Sequence, residues 1–262
     1  HNRQRVKEKS MLDSKTLTYE IFHDERESEN PKFVGGDSGA LYLATDKSGK
    51  KYLVKHSFWI DAANEFVGCW LANKMGIVAP RAQLLTPNKK FKTQYAVALE
   101  YLKLSPLSAG EYDYYEMAPI LILHTLLKNN DSIQTDGTAG HICTYDFSAC
   151  LSNEGLYIFG DALKLKPKMT LSVMAPLLEN CLKYYCASLD FANIDFSSNA
   201  ERHNLDPIEF NRRAVSAAKK LLDVSEDEYV DMFNELANLY PMEVVNYYID
   251  CVKALQQKIQ EL

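Results

Sequence analysis

Near residue 104 the hydrophobic period of this 262-residue chain changes, and that change restricts the fold more than any other feature. Upstream, short β-forming runs are punctuated by turns. Val34-Gly35-Gly36-Asp37-Ser38-Gly39 is a glycine-rich turn, Ala40–Thr45 reads as a strand, Asp46-Lys47-Ser48-Gly49 as a hairpin turn, and Lys51–His56 as the returning strand. One segment breaks the period. From Asp61 to Met75, Ala63, Phe66, Val67, Trp70, Leu71 and Met75 fall on a single helical stripe, and Gly76 supplies the stop. Ile77-Val78-Ala79-Pro80 then leads into strand-like runs around Arg81–Leu85 and Gln94–Leu102. Two strands, a helix and two more strands specify an antiparallel sheet with one packed helix.

Downstream of Pro106 the spacing is helical. Tyr114–Leu127 is apolar almost all round, as a helix buried in a core would be, and Pro119 falls in its first turn, where a missing N–H costs little. A polar loop follows, then a strand-like run at His141–Tyr145 and a hairpin through Leu151–Phe159. Thr170–Leu182 reads as a helix with Pro176 inside it. Asp206-Pro207-Ile208-Glu209 and Ser225-Glu226-Asp227-Glu228 are helix starts, and Pro241 opens a terminal helix towards Leu262. The expected organisation is α+β. Residues 1–31 form a polar, irregular or partly helical extension, 32–104 a small sheet lobe, and 105–262 a larger helical lobe. A cleft between lobes is where ligands usually bind.

Composition removes several function classes. A net charge of −6 disfavours general nucleic-acid binding, which needs a basic surface. No apolar run reaches the length of a membrane span. The six cysteines form no C-x-x-C pair and lie mostly in apolar surroundings, so they read as buried free thiols of a reducing compartment. Lys89-Lys90-Phe91-Lys92 and Lys164-Leu165-Lys166-Pro167-Lys168 are local basic clusters: solvated loops, or a seat for an anionic small molecule or acidic partner.

The chemistry-bearing residues are carboxylates. Lys128-Asn129-Asn130-Asp131-Ser132-Ile133-Gln134-Thr135-Asp136 places two of them after an apolar helix, and Asp146-Phe147-Ser148 adds a third. Phosphoryl transfer uses such a set, one carboxylate to orient the attacking hydroxyl and others to hold magnesium. Loop acids of this kind are also common in plain turns. Gly35, Gly36 and Gly39, with Asp37 and Ser38 between them, would let backbone N–H groups approach phosphate oxygens. No P-loop or G-x-G-x-x-G spacing accompanies them. Lys55 ends the strand Tyr52-Leu53-Val54-Lys55. Glu65, ten residues on, shares a small apolar helix face with Ala62, Cys69 and Ala72. A strand lysine paired with a glutamate on the next helix is how protein kinases hold ATP phosphates.

The succession of glycine-rich hairpin, Val54-Lys55, helical Glu65, Gly76-Ile77-Val78-Ala79-Pro80 and His124-Thr125-Leu126-Leu127-Lys128-Asn129-Asn130-Asp131 resembles the HipA-like atypical kinases, a group similar in turn to the phosphatidylinositol 3/4-kinases. The likeness covers roughly residues 33–150. That group's N-x-D-x-H-x-x-N loop is matched by Asn129, Asp131, Ile133 and Asp136, with Ile133 for the His and Asp136 for the last Asn.

The resemblance implies a two-lobed protein-kinase-like fold and an ATP- and Mg2+- (or Mn2+-) dependent transfer of the γ-phosphoryl group to protein Ser/Thr. Lys55 would contact the phosphates and Glu65 position it. Asp131 would orient the attacking hydroxyl, Asp146 would be the main metal ligand, and Asp136 the second. Phe147 would pack under the helix carrying Glu65, and Glu100-Tyr101-Leu102 would form the hinge that reads adenine. No H-R-D, D-F-G or A-P-E is present, so regulation through a phosphorylated activation segment is not expected, and an anionic activator at a lysine cluster is a substitute. Rival readings are a pseudokinase or nucleotide-binding regulatory module, a phosphoinositide kinase, and a nucleotidyl transferase on the same fold. The group includes bacterial toxins and related secreted effectors, which implies a cytoplasmic protein or one delivered into a host cytosol.

Overall fold

A computed structural model describes residues 11–22, 41–56, 60–91, 94–108, 110–129, 133–151, 171–189 and 195–262. Five short strands, β1 (Thr18–Ile21), β2 (Tyr42–Thr45), β3 (Lys51–Lys55), β4 (Ala82–Leu84) and β5 (Val97–Glu100), make one antiparallel sheet in the order β1-β2-β3-β5-β4. The register sets Tyr42 opposite Val54, Lys55 opposite Val97 and Ala82 opposite Leu99. Four of these strands fall where the sequence signals put them, with shorter ends. β1 corrects the expectation of an irregular or helical lead-in. Thr18 and Glu20 are polar, yet the segment pairs along β2 as the sheet's edge, where a single half-covered face suffices.

Helix α1 (Asp61–Met75) matches its expected bounds and ends as anticipated. Gly76 takes φ +80°, which costs a residue without Cβ little, and its N–H donates to the Asn73 carbonyl at 3.1 Å. The expected single stripe is too narrow. Residues on all sides of α1 are buried, Asn64 and Glu65 among them, because the helix packs on β4 and β5 on one side and on helices of the second lobe on the other.

The helical lobe contains α2 (Met117–Leu126), α3 (Leu171–Ser188), α4 (Ser197–Arg202), α5 (Pro207–Lys219), α6 (Glu226–Ala237) and α7 (Met242–Gln260). α2 is the central post. Its Ala118, Ile120, Ile122, Leu123 and Leu126 are fully buried, each large side chain contributing about 1.5–3 kcal/mol of burial. α5 packs against α2, and α7 against α3. Asp206 accepts a hydrogen bond from the Ile208 N–H at 2.9 Å, and Ser225 and Glu228 form a reciprocal capping box, so both anticipated helix starts hold. α3 runs six residues past its expected end and accommodates Pro176.

Between α2 and α3 lies a second, two-stranded sheet of β6 (Gln134–Thr138) and β7 (His141–Tyr145). The partner of β7 is therefore the segment read as the tail of a polar loop. Of the hairpin expected over Leu151–Phe159, only Leu151 belongs to the described residues. The β6–β7 turn is Ala139-Gly140, with φ of +48° and +83°, the two-residue geometry that matches strand twist. Among the described residues all six cysteines are free. Cys186 is exposed, against the expectation of buried thiols; it lies in the last turns of α3.

Candidate active site

The end of β3 delivers Lys55 to the seam between the sheet and the helices. Val54 and Tyr52 point into the sheet's core, so alternation turns Lys55 to the other face. There its ammonium makes an ion pair with Glu65 of α1 and another, at 2.9 Å, with Asp146 Oδ1 just past β7. Glu65 is wholly buried, and a buried carboxylate is tolerable only beside a cation. Burial pushes the Glu65 carboxyl up to about 7, against the pull of Lys55. Burial disfavours the Lys55 ammonium as well, but the two carboxylates outweigh it and raise its pKa, so the lysine stays charged.

Asp146 is held from several sides. Its backbone lies in the left-handed region at φ +67°, uncommon for a residue with a side chain. The Ser148 hydroxyl donates to its Oδ1 at 2.8 Å. Partial burial opposes ionisation, but Lys55 and Ser148 prevail and hold the carboxyl down at about 2. The Asn64 amide, one residue before Glu65, donates to the Ser148 carbonyl at 2.7 Å, and Tyr248 of α7 donates to Asn64 Oδ1 at 2.5 Å. Phe147 is fully buried and presses on α1 at Gly68, where a Cβ would come within 2.6 Å of the Phe147 Cβ. The packing of Phe147 under the Glu65 helix is thus as the sequence led us to expect.

The opposite wall is the β6–β7 hairpin. Tyr145 donates its hydroxyl to Asp136 Oδ2 at 2.5 Å. Gln134, not Asp136, pairs with Tyr145, so Asp136 lies two strand positions farther from Asp146, about 6–7 Å along β6. Beneath the hairpin the buried imidazole of His124 stacks on Phe147, with centroids 5.1 Å apart and planes 15° apart. Burial lowers the His124 pKa to about 4, so the ring is neutral at physiological pH.

Among the other anticipated residues, Glu100 ends β5 and carries an ion pair with Lys50 at 3.2 Å. The Tyr101 N–H donates to the Lys51 carbonyl at 3.0 Å, and Leu102 follows. The chain just after this segment is fixed to the hairpin by two backbone hydrogen bonds between Ser105 and Gly137, at 2.9 and 2.7 Å. Gly35, Gly36, Asp37, Ser38, Gly39 and Asp131 lie outside the described residues, as do Lys92, Lys164, Lys166 and Lys168. Lys90 spreads over the Tyr19 ring, 5.3 Å from its centre.

The structure therefore brings Lys55, Glu65 and Asp146 into direct contact, while Asp136 lies on the hairpin with its carboxylate on the Tyr145 hydroxyl. Among the described residues no three acidic, histidine or cysteine side chains cluster as a metal cage. Magnesium does not require one: it commonly takes one or two carboxylates and completes its shell with phosphates and water. The half-exposed Asp146 carboxylate is a donor of that kind. Sequence reasoning gave no role to Asn64, His124, Thr144 or Tyr248. The signal for Asn64 was available, since it precedes Glu65 between the apolar pairs Ala62-Ala63 and Phe66-Val67; the others depend on contacts between distant segments.

The chain matches no protein-family model and no curated protein. Among solved structures it is similar to the Helicobacter pylori proinflammatory kinase CtkA, with a TM-score of 0.54 and 13% identity over 97% of this chain and 99% of that one. It is also similar to a chain of the Shewanella oneidensis MR-1 toxin–antitoxin complex of HipA, HipB and operator DNA, with a TM-score of 0.44 and 9% identity over 97% of this chain and 73% of that one. Among the described residues no helix is long and apolar enough to cross a membrane. At 13% identity the likeness to CtkA is one of fold: the chain has a two-lobed, kinase-like α+β architecture.

Proposed function

We propose that this chain is an ATP- and divalent-metal-dependent phosphotransferase that moves a γ-phosphoryl group to a protein Ser/Thr hydroxyl. The observation that supports it most is Lys55 held between Glu65 and Asp146 at the seam of a kinase-like fold. In such a transfer the protein's work is positioning and charge neutralisation. Lys55 binds the α/β-phosphates, and Glu65 keeps the ammonium aimed. Asp146, with Asp136 at the second position, would hold Mg2+ or Mn2+, which when bound neutralises charge on the triphosphate. Asp131 accepts a hydrogen bond from the attacking hydroxyl and so orients it. The segment Glu100-Tyr101-Leu102 reads the adenine, and the turn from Gly35 to Gly39 (Gly35, Gly36, Asp37, Ser38, Gly39) covers the phosphates. The lobes meet near residue 104, and the first lobe takes in β1 from within residues 1–31.

The departures at Ile133, Asp136 and Ser148 favour one second reading, a nucleotide-binding module that transfers nothing. Incubation with γ-labelled ATP and magnesium separates the two, and α-labelled ATP with product mass detects nucleotidyl transfer. We expect self-labelling by the γ-phosphate, lowered about a hundredfold or more in Lys55→Ala, Asp131→Ala and Asp146→Ala. Nucleotide binding without transfer in the parent leaves the regulatory reading. Equal labelling in all four proteins removes the phosphotransferase reading.

A further inference from the structure

Three polar groups on separate elements form a single directed chain around His124. The ring's Nδ1 lies 2.8 Å from the Asn129 amide nitrogen, and its Nε2 lies 2.8 Å from the Thr144 hydroxyl. Thr144 in turn donates to the Gln134 carbonyl at 3.0 Å. A carbonyl can only accept, and a hydroxyl has one proton. Thr144 therefore has no proton left for the ring, and Nε2 carries the hydrogen. A neutral imidazole then has a bare Nδ1, so Asn129 donates to it. The polarity of the whole chain follows from one carbonyl: Asn129 to His124 to Thr144 to Gln134.

The ends of this chain flank one segment. Asn129 stands immediately before residues 130–132, and Gln134 stands two positions after them. The middle of the chain stacks on Phe147, the neighbour of Asp146. His124 and Thr144 are both buried, so no water competes for these bonds at the surface. His124 itself stands in the last turns of the central helix α2, whose apolar packing fixes its backbone.

We propose that His124 and Thr144 are positioning residues, which hold the two flanks of the segment carrying Asp131 in register with the segment carrying Asp146. The proposal rests on the phosphotransferase reading and adds to it the device that sets the acceptor side of the reaction. Neither residue touches the nucleotide. Their loss slows transfer and leaves nucleotide binding intact, which a general loss of packing would not do selectively.

The test compares Thr144→Val, which keeps the shape and deletes the hydroxyl, with Thr144→Ser, which keeps the hydroxyl. Nucleotide affinity is read with ATP and magnesium by calorimetry, and turnover with γ-labelled ATP, both well below the unfolding temperature. The expected result is a transfer rate down about tenfold or more in Thr144→Val, affinity within about twofold of the parent, and recovery in Thr144→Ser. Parental transfer in a folded Thr144→Val overturns the proposal, and so does equal impairment in Thr144→Ser. Long-range 15N–1H NMR of the parent's His124 gives an answer even if a variant does not fold. A proton on Nε2 and a bare Nδ1 are expected, and the reverse tautomer overturns the proposal. A parent that neither binds nor transfers nucleotide removes the phosphotransferase reading, while the tautomer still decides the hydrogen-bond chain.

Discussion

The two walls of the candidate site are built from different physics. The wall of β3, α1 and the turn after β7 is charged: Lys55, Glu65 and Asp146 come from segments up to 91 residues apart and meet with opposite signs. The wall of α2, β6 and β7 is neutral at its base, where Asn129, His124, Thr144 and Gln134 are linked by hydrogen bonds alone. Charges attract a charged ligand but are costly to bury; neutral hydrogen bonds attract little but fix backbone without that cost. On the proposed phosphotransferase reading, the difference would give ligand capture to the first wall and alignment to the second.

Removing charge from the first wall is the harshest way to break the comparison. Asp146→Asn keeps the size of the side chain and is expected to lower phosphoryl transfer by about 10²–10³, the scale of a lost charge-stabilising group. A rate assay with γ-labelled ATP reads it, and a parental rate would show that the charged wall is inert.

The second wall's neutrality has a pH signature. The His124 pKa falls from 6.5 to about 4 on folding. The unfolded chain thus takes up the proton first. Stability is complete above about pH 6.5 and declines as pH falls towards 4, by on the order of 3 kcal/mol from this group. The Asp146 carboxyl, also lowered, loses its contribution only below its ordinary 3.8, so the two windows are separate. Glu65, with its carboxyl raised to about 7, acts with the opposite sign over the same window, so the His124 contribution is read as the difference between the parent and His124→Asn in denaturant unfolding from pH 7 to 4.5. Identical profiles would place the histidine outside the account.

Smaller changes sharpen the division. Gly68→Ala forces a methyl into Phe147, at the point where α1 meets the turn carrying Asp146. Overpacking of this kind costs about 1–3 kcal/mol, visible in thermal unfolding. Tyr248→Phe deletes the hydroxyl that supports Asn64, and about 1 kcal/mol is expected. Lys74→Ala breaks an ion pair with Glu228 on the outer side of α1, where both partners meet solvent. Its effect should stay below about 1 kcal/mol, with transfer unchanged. A large loss of transfer there would mean that α1 is held from outside the site as firmly as from within.

The sequence made the charged wall visible and left the neutral one obscure, for a physical reason. Lys55 ends an alternating strand and Glu65 lies on the next helix, so local periodicity places both. Asp146 follows the apolar run His141–Tyr145. β6 had no such marker: Gln134, Thr135, Asp136, Gly137 and Thr138 contain no apolar residue, and the pairing comes from the Ala139-Gly140 turn and from β7. β1 was missed because its polar residues sit on an edge. The Tyr248–Asn64–Ser148 link joins residues 184 and 84 positions apart, a separation over which periodicity is silent.

Metal-dependent nucleotide binding tests the central claim most directly. Calorimetric titration of the parent with ATP should show binding that strengthens when Mg2+ is added. Lys55→Ala should lose most of the affinity, and Asp146→Asn should lose the dependence on Mg2+. Binding that ignores the metal, or survives both substitutions unchanged, would contradict the account.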